Sequence, residues 1–392
     1  MSKVCSIFSQ LLQLVSRTGF DVAVRKHKAE RHARGFSSWG QFVAMLFCQL
    51  ASAKSLREIC GGLAASEGKL RHLGLPQAPP RSTLAYANEH RPWQLYEDVF
   101  HQVLSQCRAV AAHQSSGRRK FRFKHKLISM DATVIDLCAS VFDWAHFRRT
   151  KGAVKLHLLL DHDGFLPCYA VITEGKQHEV RVARQLSYEA GMLLVIDRGY
   201  TDYAWFADLT RQGVYFVTRL KDNADYVVLE DRELPHRRGV IRDQVICFYQ
   251  QARDGQECYF RRIEFYDEEQ DRVLVFVTNH LTLAAATVAE VYKQRWAIEL
   301  FFKALKQSLR IKTFVGTSPN ALKTQIWAAL IAMLLIKYLQ LKARFGWSLS
   351  NLVALLRQQL FVYRDLWVWI DHPFQAPEPP EWLPEQLAMA WQ

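Results

Sequence analysis

Three carboxylates occur at positions where an α/β chain could bring them to one site: Asp131, Asp197 and Glu299. Asp131 lies in a run of alternating residues that predicts a β-strand, and Asp197 ends the apolar run 192–197, which is typical of a strand buried on both faces. Ligands of open α/β sheets gather beyond the carboxyl ends of such strands. Because hard cations such as Mg²⁺ prefer carboxylate oxygens, these residues favour a divalent-metal site.

Glu299 lies in a helix predicted from about Ala284 to Leu309, which carries a polar stripe. Tyr292, Arg295, Glu299 and Lys306 fall at roughly 0°, 300°, 340° and 320° around the helix axis. The apolar residues fall on the adjoining arc, so one side of the helix can bury in a core while the stripe faces a cleft. A carboxylate beside an arginine fork, a lysine point charge and a phenol suits a phosphate-bearing substrate and a metal.

The chemistry predicted for such a cleft is displacement at phosphorus. Two Mg²⁺ ions, roughly 4 Å apart, would stabilise both the attacking and the leaving oxygen of an in-line reaction. Mn²⁺ is the alternative ion.

The segments around these residues predict an α/β core of the ribonuclease H type with a β-rich insertion, preceded by a mainly helical N-terminal domain. The predicted core elements are strands at 127–135, 154–160 and 165–173, a helix at 178–189, a strand at 192–197, a helix at 201–212 and a strand at 214–220. The Asp-Gly dipeptide in the turn Asp161–Gly164 is a hairpin signal. A second, strongly apolar helix is predicted from about Pro319 to Phe345.

The formal net charge of the 392 residues is +13, and the excess lies in the first third. Residues 1–126 hold 20 Lys and Arg against 7 Asp and Glu, whereas residues 127–392 hold 31 against 31. Such a basic segment attracts phosphate backbones or anionic lipid. The longest apolar run, Ile326–Ile336, is too short to span a bilayer, and no signal-peptide pattern is present. We therefore expect nucleic acid as the partner and a protein that stays in the cytoplasm.

Two dense basic runs, Arg25–Arg34 and Arg118–Lys126, could follow a DNA backbone, although a solvated charged face explains either run about equally well. The prolines between residues 76 and 80 break the helical region, and Ser82–Thr83 offers an N-cap for a short helix. A helix-turn-helix is an open alternative here. The eight cysteines are scattered without a C-x2-C pair, which favours reduced thiols.

The spacing Tyr292-x2-Arg295-x3-Glu299-x6-Lys306 resembles the signature of the insertion-sequence-four family of DDE transposases. Three further segments resemble the family's first-Asp segment, its second-Asp segment and the strand that follows, namely Ser129–Thr133, Asp197–Tyr200 and Phe216–Arg219. The resemblance covers residues 120–315 well and the N-terminal third only loosely.

This resemblance implies a DNA transposase in which Asp131, Asp197 and Glu299 are the catalytic metal ligands. It also implies four contacts to the transposon end, from Arg219, Tyr292, Arg295 and Lys306. Trp296 stands where a family member has an aromatic residue near a flipped base, so it is a weaker candidate for stacking.

The resemblance further implies a reaction and its partners. In such enzymes a water nicks the transposon end, the freed 3′-OH attacks the opposite strand to form a hairpin, and the excised ends later join target DNA. The partners are double-stranded DNA, at the terminal inverted repeats and at the target, and a second copy of the chain, because synapsis of two ends implies a homodimer.

The predicted organisation has five parts. They are a helical basic DNA-binding domain at 1–120, the first part of the core at 121–224, the β-rich insertion at 225–280, the catalytic helix with the helix after it at 281–345, and a C-terminal helical segment with a Pro-rich tail at 346–392.

Two other functions compete with transposition. A ribonuclease H-like nuclease or resolvase that only hydrolyses would need the three acids but not the Tyr-Arg-Lys stripe. A domesticated, non-catalytic DNA-binding protein would need only the basic N-terminal third and would be free to lose an acid. The intact stripe and the intact triad both favour the transposase.

Overall fold

The computed structural model describes residues 5–31, 33, 35–66, 68–115, 121, 123–138, 142, 144, 146–148, 151–234, 239–249, 258–309 and 314–375. The basic runs Arg25–Arg34 and Arg118–Lys126 and the Pro-rich tail therefore lie partly outside the described residues.

The N-terminal region is helical, as predicted. Its helices are α1 Ile7–Leu12, α2 Arg17–Lys26, α3 Ser38–Leu50, α4 Leu56–Ala64, α5 Arg81–His90 and α6 Gln94–Ser115. The first four begin after a serine whose hydroxyl accepts a hydrogen bond from a backbone N–H of the first turn, which satisfies one of the donors that a helix start leaves unpaired. Sixteen residues separate α4 from α5, whereas only the three residues 91–93 separate α5 from α6, so of these two connections only the second has the length of the turn in a helix-turn-helix.

The ten described strands form one mixed sheet. They are β1 Leu127–Leu137, β2 His146–Arg148, β3 Lys151–Asp161, β4 Leu166–Glu174, β5 Leu193–Ile196, β6 Tyr215–Arg219, β7 Tyr226–Asp231, β8 Val240–Phe248, β9 Phe260–Asp267 and β10 Arg272–Thr278. β1, β3 and β4 are consecutive antiparallel neighbours, β5 pairs parallel with β1, and β6 pairs parallel with β5. The predicted ribonuclease H type of core is confirmed.

The predicted β-rich insertion does not form a sheet of its own. β10 pairs antiparallel with β6, and β9, β8 and β7 follow in that order. The insertion therefore extends the central sheet at the side opposite to β4, because β6 leaves a free edge that β10 occupies.

Two short helices flank β5 in the chain, α7 Glu179–Arg184 before it and α8 Tyr203–Arg211 after it. α7 is shorter than the predicted helix at 178–189, because residues 185–189 are not helical. The chain after α7 turns toward β5 with tight backbone hydrogen bonds at Gln185 and Leu186.

The predicted single helix over residues 284–309 is wrong. The segment forms two helices, α9 Ala285–Lys293 and α10 Trp296–Ser308. Between them the N–H groups of Gln294 and Arg295 bond to carbonyls three residues back, with N to O distances of 3.0 Å, which is the tighter geometry of a 3₁₀ turn. No Pro or Gly marks this position, so helical periodicity alone could not locate it.

The remaining helices are α11 Pro319–Lys342, α12 Leu349–Gln359 and α13 Leu366–Asp371. One hydrophobic core contains residues of α1–α6, of the faces of β1 and β3, and of α10–α13. The helices before the predicted boundary at residue 120 therefore pack in the same core as elements that follow it.

By length and composition, α11 could cross a membrane. However, 83% of its most apolar stretch is buried inside the protein. α11 therefore has the character of a central core helix, and it is longer than the apolar run 326–336 suggested.

A histidine pair joins the segment before β1 to the end of β10. His280 Nε2 lies 3.1 Å from His125 Nε2, while His125 Nδ1 donates to the Gly191 carbonyl at 2.8 Å. The Leu283 N–H donates to His280 Nδ1 at 3.1 Å, so His280 must donate through Nε2 and both rings are neutral. Burial, followed by the nearby His125, lowers the pKa of His280.

This pair predicts a loss of stability in acid. The unfolded chain takes up a proton on His280 near pH 6.5, while the folded chain resists it, so the free energy of unfolding should fall as pH decreases through that value. We expect thermal melting at pH 7.5 and 5.5 to show a smaller decrease for His280→Asn than for the wild type. His113→Asn, at an exposed histidine, is the control. An equal decrease in all three proteins would contradict the prediction.

Candidate active site

The parallel pairing of β1 with β5 places two of the three predicted acids side by side. Met130 is the register partner of Ile196, so Asp131 and Asp197 occupy the next positions on neighbouring strands. β5 ends there, and the Asp197 side chain caps the following turn by accepting from the Gly199 N–H at 3.1 Å. Asp131 accepts from the Ala132 N–H at 2.8 Å.

Arg295 connects the third acid to the first. Its Nη1 lies 3.4 Å from Asp131 Oδ2, and its Nη2 forms a close ion pair with Glu299 Oε1. Arg295 sits in the tightened turn between α9 and α10, so the helix break places the guanidinium between the two carboxylates. Tyr292 lies one turn earlier, with its ring centroid 5.9 Å from the Arg295 guanidinium carbon.

The acids affect one another electrostatically. The pKa of Asp131 is raised to about 6, chiefly by burial and also by the negative charges of Asp197 and Glu179, against the lowering effects of the Ala132 N–H and of Arg295. The raised pKa means that the surroundings of Asp131 do not fully stabilise its negative charge.

Glu179 is a fourth acid near the site, and no sequence motif indicated it. Its Oε1 lies 3.2 Å from Lys155 Nζ. Its other oxygen would lie 3.7 Å from a Cβ at Gly199, next to the turn that Asp197 caps. The available signal was its position at the start of the helix between β4 and β5. Only the fold shows that this start faces Asp131.

The residues predicted to contact DNA differ in their surroundings. Burial raises the pKa of Tyr292, and the charges of Arg295, Asp197 and Arg219 also act on it. Among the described residues, the Arg219 Nε atom is buried without a hydrogen-bond partner. Trp296 is 58% exposed, so its ring is available to a ligand. On the predicted apolar face of α10, Ile298, Phe301, Phe302 and Leu305 are buried.

Lys306 does not simply face the cleft. Its Nζ donates to the Val134 carbonyl of β1 at 2.9 Å, and this contact helps to hold α10 against the strand that carries Asp131.

The position of Lys306 leads to a prediction that separates its two roles. If Lys306 contacts a DNA phosphate, Lys306→Ala should weaken binding to transposon-end DNA. The slope of log Kd against log salt should then fall by about 0.9. If Lys306 only fastens α10 to β1, the variant will melt at a lower temperature with an unchanged salt slope. Lys303→Ala, at an exposed lysine of the same helix, is the matched control.

The acids fit a divalent cation in their chemistry. All are hard oxygen donors, and the raised pKa of Asp131 is relieved by added positive charge. Within the described ranges, no three His, Cys, Asp or Glu side chains already lie as a group that could hold an ion. Arg295 holds a cationic group between Asp131 and Glu299, so metal binding by both acids requires this side chain to shift.

A sheet of the ribonuclease H type, with acids at two adjoining parallel strands and a third on a helix beside them, defines an enzyme class that acts on phosphodiester bonds. The match to the transposase DDE domain covers residues 122–335. The chain belongs to this family and is a DDE transposase, which confirms the class expected from the sequence motifs. Residues 4–76 match a domain of unknown function.

Several known proteins are similar to the chain. A protein of Sinorhizobium fredii named as a transposase is 29% identical over 314 residues, covering 79% of this chain and 85% of that protein. Another, named as the transposase of insertion sequence element IS5377 of Geobacillus stearothermophilus, is 29% identical over 274 residues, covering 69% of this chain and 70% of that protein. A third protein, named as the transposase of insertion sequence element IS4SA of Synechocystis, is 23% identical over 237 residues, covering 59% of this chain and 65% of that protein.

Among solved structures, the piggyBac transposase synaptic complex with hairpin DNA aligns with a TM-score of 0.45 and 10% identity, over 97% of this chain and 83% of that one.

Proposed function

We propose that this transposase moves an insertion sequence by a cut-and-paste reaction, using two divalent metal ions at the element's terminal inverted repeats. The observation that supports it best is the β1–β5 register, which sets Asp131 beside Asp197, together with Arg295, which links Asp131 to Glu299. These contacts support a shared role for the three acids.

Asp131, Asp197 and Glu299 would hold the ions, which are Mg²⁺ in the first place and Mn²⁺ as the alternative. When bound, such ions supply charge stabilisation for the attacking and leaving oxygens at phosphorus. The chain's own cations have a separate role. Arg295 and Arg219 would bind phosphate oxygens through their guanidinium groups, while the exposed ring of Trp296 would stack on a base displaced from the duplex.

The proposed reaction has two kinds of step. In the first, water attacks the phosphorus at the transposon end, the P–O3′ bond breaks, and the leaving 3′ oxygen takes a proton. In the second, a freed 3′-OH attacks another phosphodiester, loses its proton and displaces a 3′ oxygen there. Attack on the opposite strand closes a hairpin, and attack on target DNA inserts the element.

The proposed partners are duplex DNA at the repeats and at the target, and a second copy of the chain. The basic N-terminal third would bind the repeat, since 20 of the 51 Lys and Arg lie there against only 7 acids. Pairing of two ends would require a homodimer on DNA.

The decisive experiment uses the gene together with its flanking DNA. Purified wild type and Asp131→Asn are incubated with that DNA and Mg²⁺, and the products are resolved on a denaturing gel. Nicks or hairpins at the element's ends from the wild type alone would support the proposal. Binding without cleavage by either protein would contradict it and favour a non-catalytic DNA-binding role.

A further inference from the structure

The N-terminal helices contain a groove separate from the carboxylate cleft. Its volume is about 790 Å³, and it lies between α5 and residues 28, 29, 31, 33 and 36, which follow α2. The α5 residues that line it fall within roughly 140° of the helix circumference, so a single face of α5 forms one wall. They are Ser82, Thr83, Tyr86, Ala87 and His90.

Two rings on that face are fixed in place without a ligand. The Tyr86 side chain is 65% exposed, and its ring stacks on His90 with centroids 3.9 Å apart and planes at 17°. His90 Nδ1 donates to the Tyr86 carbonyl at 3.0 Å, because a carbonyl can only accept. Within the described part of the chain, the Tyr86 phenol oxygen and His90 Nε2 form no hydrogen bond. Rings that are already ordered lose little entropy when they bind a ligand.

The opposite wall is cationic. Lys28 and Arg31 are both exposed, and within the described part of the chain neither forms an ion pair. Arg91 fixes a third positive charge near the groove, where its guanidinium donates to the carbonyls of Phe36 and Ser37. The groove therefore combines free cations on one side with polar aromatic side chains on the other.

We infer that this groove holds one sugar-phosphate strand of duplex DNA at the element's terminal repeat. Lys28 and Arg31 bind its phosphates, and Tyr86 and His90 lie toward the base edges of the groove that α5 enters. A major groove about 12 Å wide admits a helix. An anionic membrane would instead need large exposed aliphatic side chains beside the cations. The described apolar lining is three alanines with Phe36 and Pro92, and contains no Leu, Ile, Val or Met. The inference rests on the proposed transposition function.

The test measures binding by fluorescence anisotropy with the full-length protein. The probes are a labelled duplex carrying the element's end, a scrambled duplex of equal length, and vesicles of anionic lipid. The variants are Lys28→Ala/Arg31→Ala and Tyr86→Ala. Arg272→Ala, at an exposed arginine of β10, is the charge control, and circular dichroism melts check that every variant is folded.

The double variant should bind both duplexes more weakly, with a salt slope reduced by about 1.8, because each lost phosphate contact removes about 0.9. Tyr86→Ala should lose about tenfold more affinity for the element's end than for the scrambled duplex, which is the effect of one base-edge contact. Arg272→Ala should bind as the wild type does.

Two results would overturn the inference. One is folded groove variants that bind the element's end with wild-type affinity and salt slope. The other is a double variant that loses only vesicle binding. A parallel Mg²⁺ cleavage assay on the wild type keeps the two hypotheses apart. Wild-type nicking together with unaffected groove variants refutes the groove alone, whereas a wild type that neither binds nor cuts the ends refutes the proposed function as well.

Discussion

Replacing Glu299 by glutamine is expected to abolish cleavage of the transposon end while DNA binding persists. Glutamine keeps the shape of the side chain but removes the negative charge that a divalent cation needs. Metal stabilisation of the transition state is worth several kcal/mol, and each 1.36 kcal/mol is tenfold in rate, so the rate should fall by about 10³-fold or more. Single-turnover cleavage of a labelled end, with anisotropy for binding, measures both quantities.

Glu290→Gln is the matched control, since Glu290 is an exposed glutamate on α9, which lies next to α10 in the chain. It should cleave as the wild type does. Glu299→Gln also removes one of the two acids that hold Arg295, so its melting temperature is compared with that of the wild type. Wild-type cleavage rates in Glu299→Gln would sink the assignment of this residue.

Removing Arg261 is expected to have the largest effect on stability. Its guanidinium and the Asp243 carboxylate are 5% and 3% exposed, and Arg261 Nε donates to Asp243 Oδ1 at 2.7 Å. It also donates to the carbonyls of Leu281 and Leu283, directly before α9. Arg261→Leu would leave Asp243 buried without its partner, at a cost of about 3–5 kcal/mol.

The cause of that cost can be tested with a second change. In Arg261→Leu/Asp243→Leu no buried charge remains, so the double variant should recover part of the lost free energy of unfolding in urea titrations. The control is Arg242→Ala, because Arg242 pairs with Glu264 on the same strands at 3.9 Å with its side chain 63% exposed. An exposed pair of this kind contributes about 0–1 kcal/mol. A cost for Arg261→Leu no larger than for Arg242→Ala would contradict the argument.

The Arg261 contacts also connect stability to the site. They fix the chain just before α9, which carries Tyr292 and leads into Arg295. We expect that a folded Arg261→Leu protein would also cleave more slowly, since the start of the helix pair that presents Glu299 would be less well held.

The strands of the core could be predicted from the sequence because their pattern is local. Alternation along residues 127–135 and the apolar run 192–197 reflect burial on one or both faces of a strand, and each is visible within a few residues. The same holds for the hairpin turn at Asp161–Gly164. The buried face of α10 was likewise predicted correctly.

The helix break at Arg295 could not be predicted in this way. A 3₁₀ turn needs only a small change of backbone angles, and the residues at 293–296 are ordinary helix formers. The predicted polar stripe assumes one straight helix. In the folded protein it is divided between α9 and α10, with Arg295 at the junction and Lys306 bonded to β1.

Residue spacing by itself determined the class of this protein, because a transposase motif fixes residue types at set intervals that chance seldom reproduces. Only the tertiary structure decided that Arg295 lies between Asp131 and Glu299, that Glu179 adds a fourth negative charge, and that the N-terminal helices share a core with α11. Each of these depends on contacts between segments far apart in the chain, which follow from sheet register and helix packing and not from any local pattern.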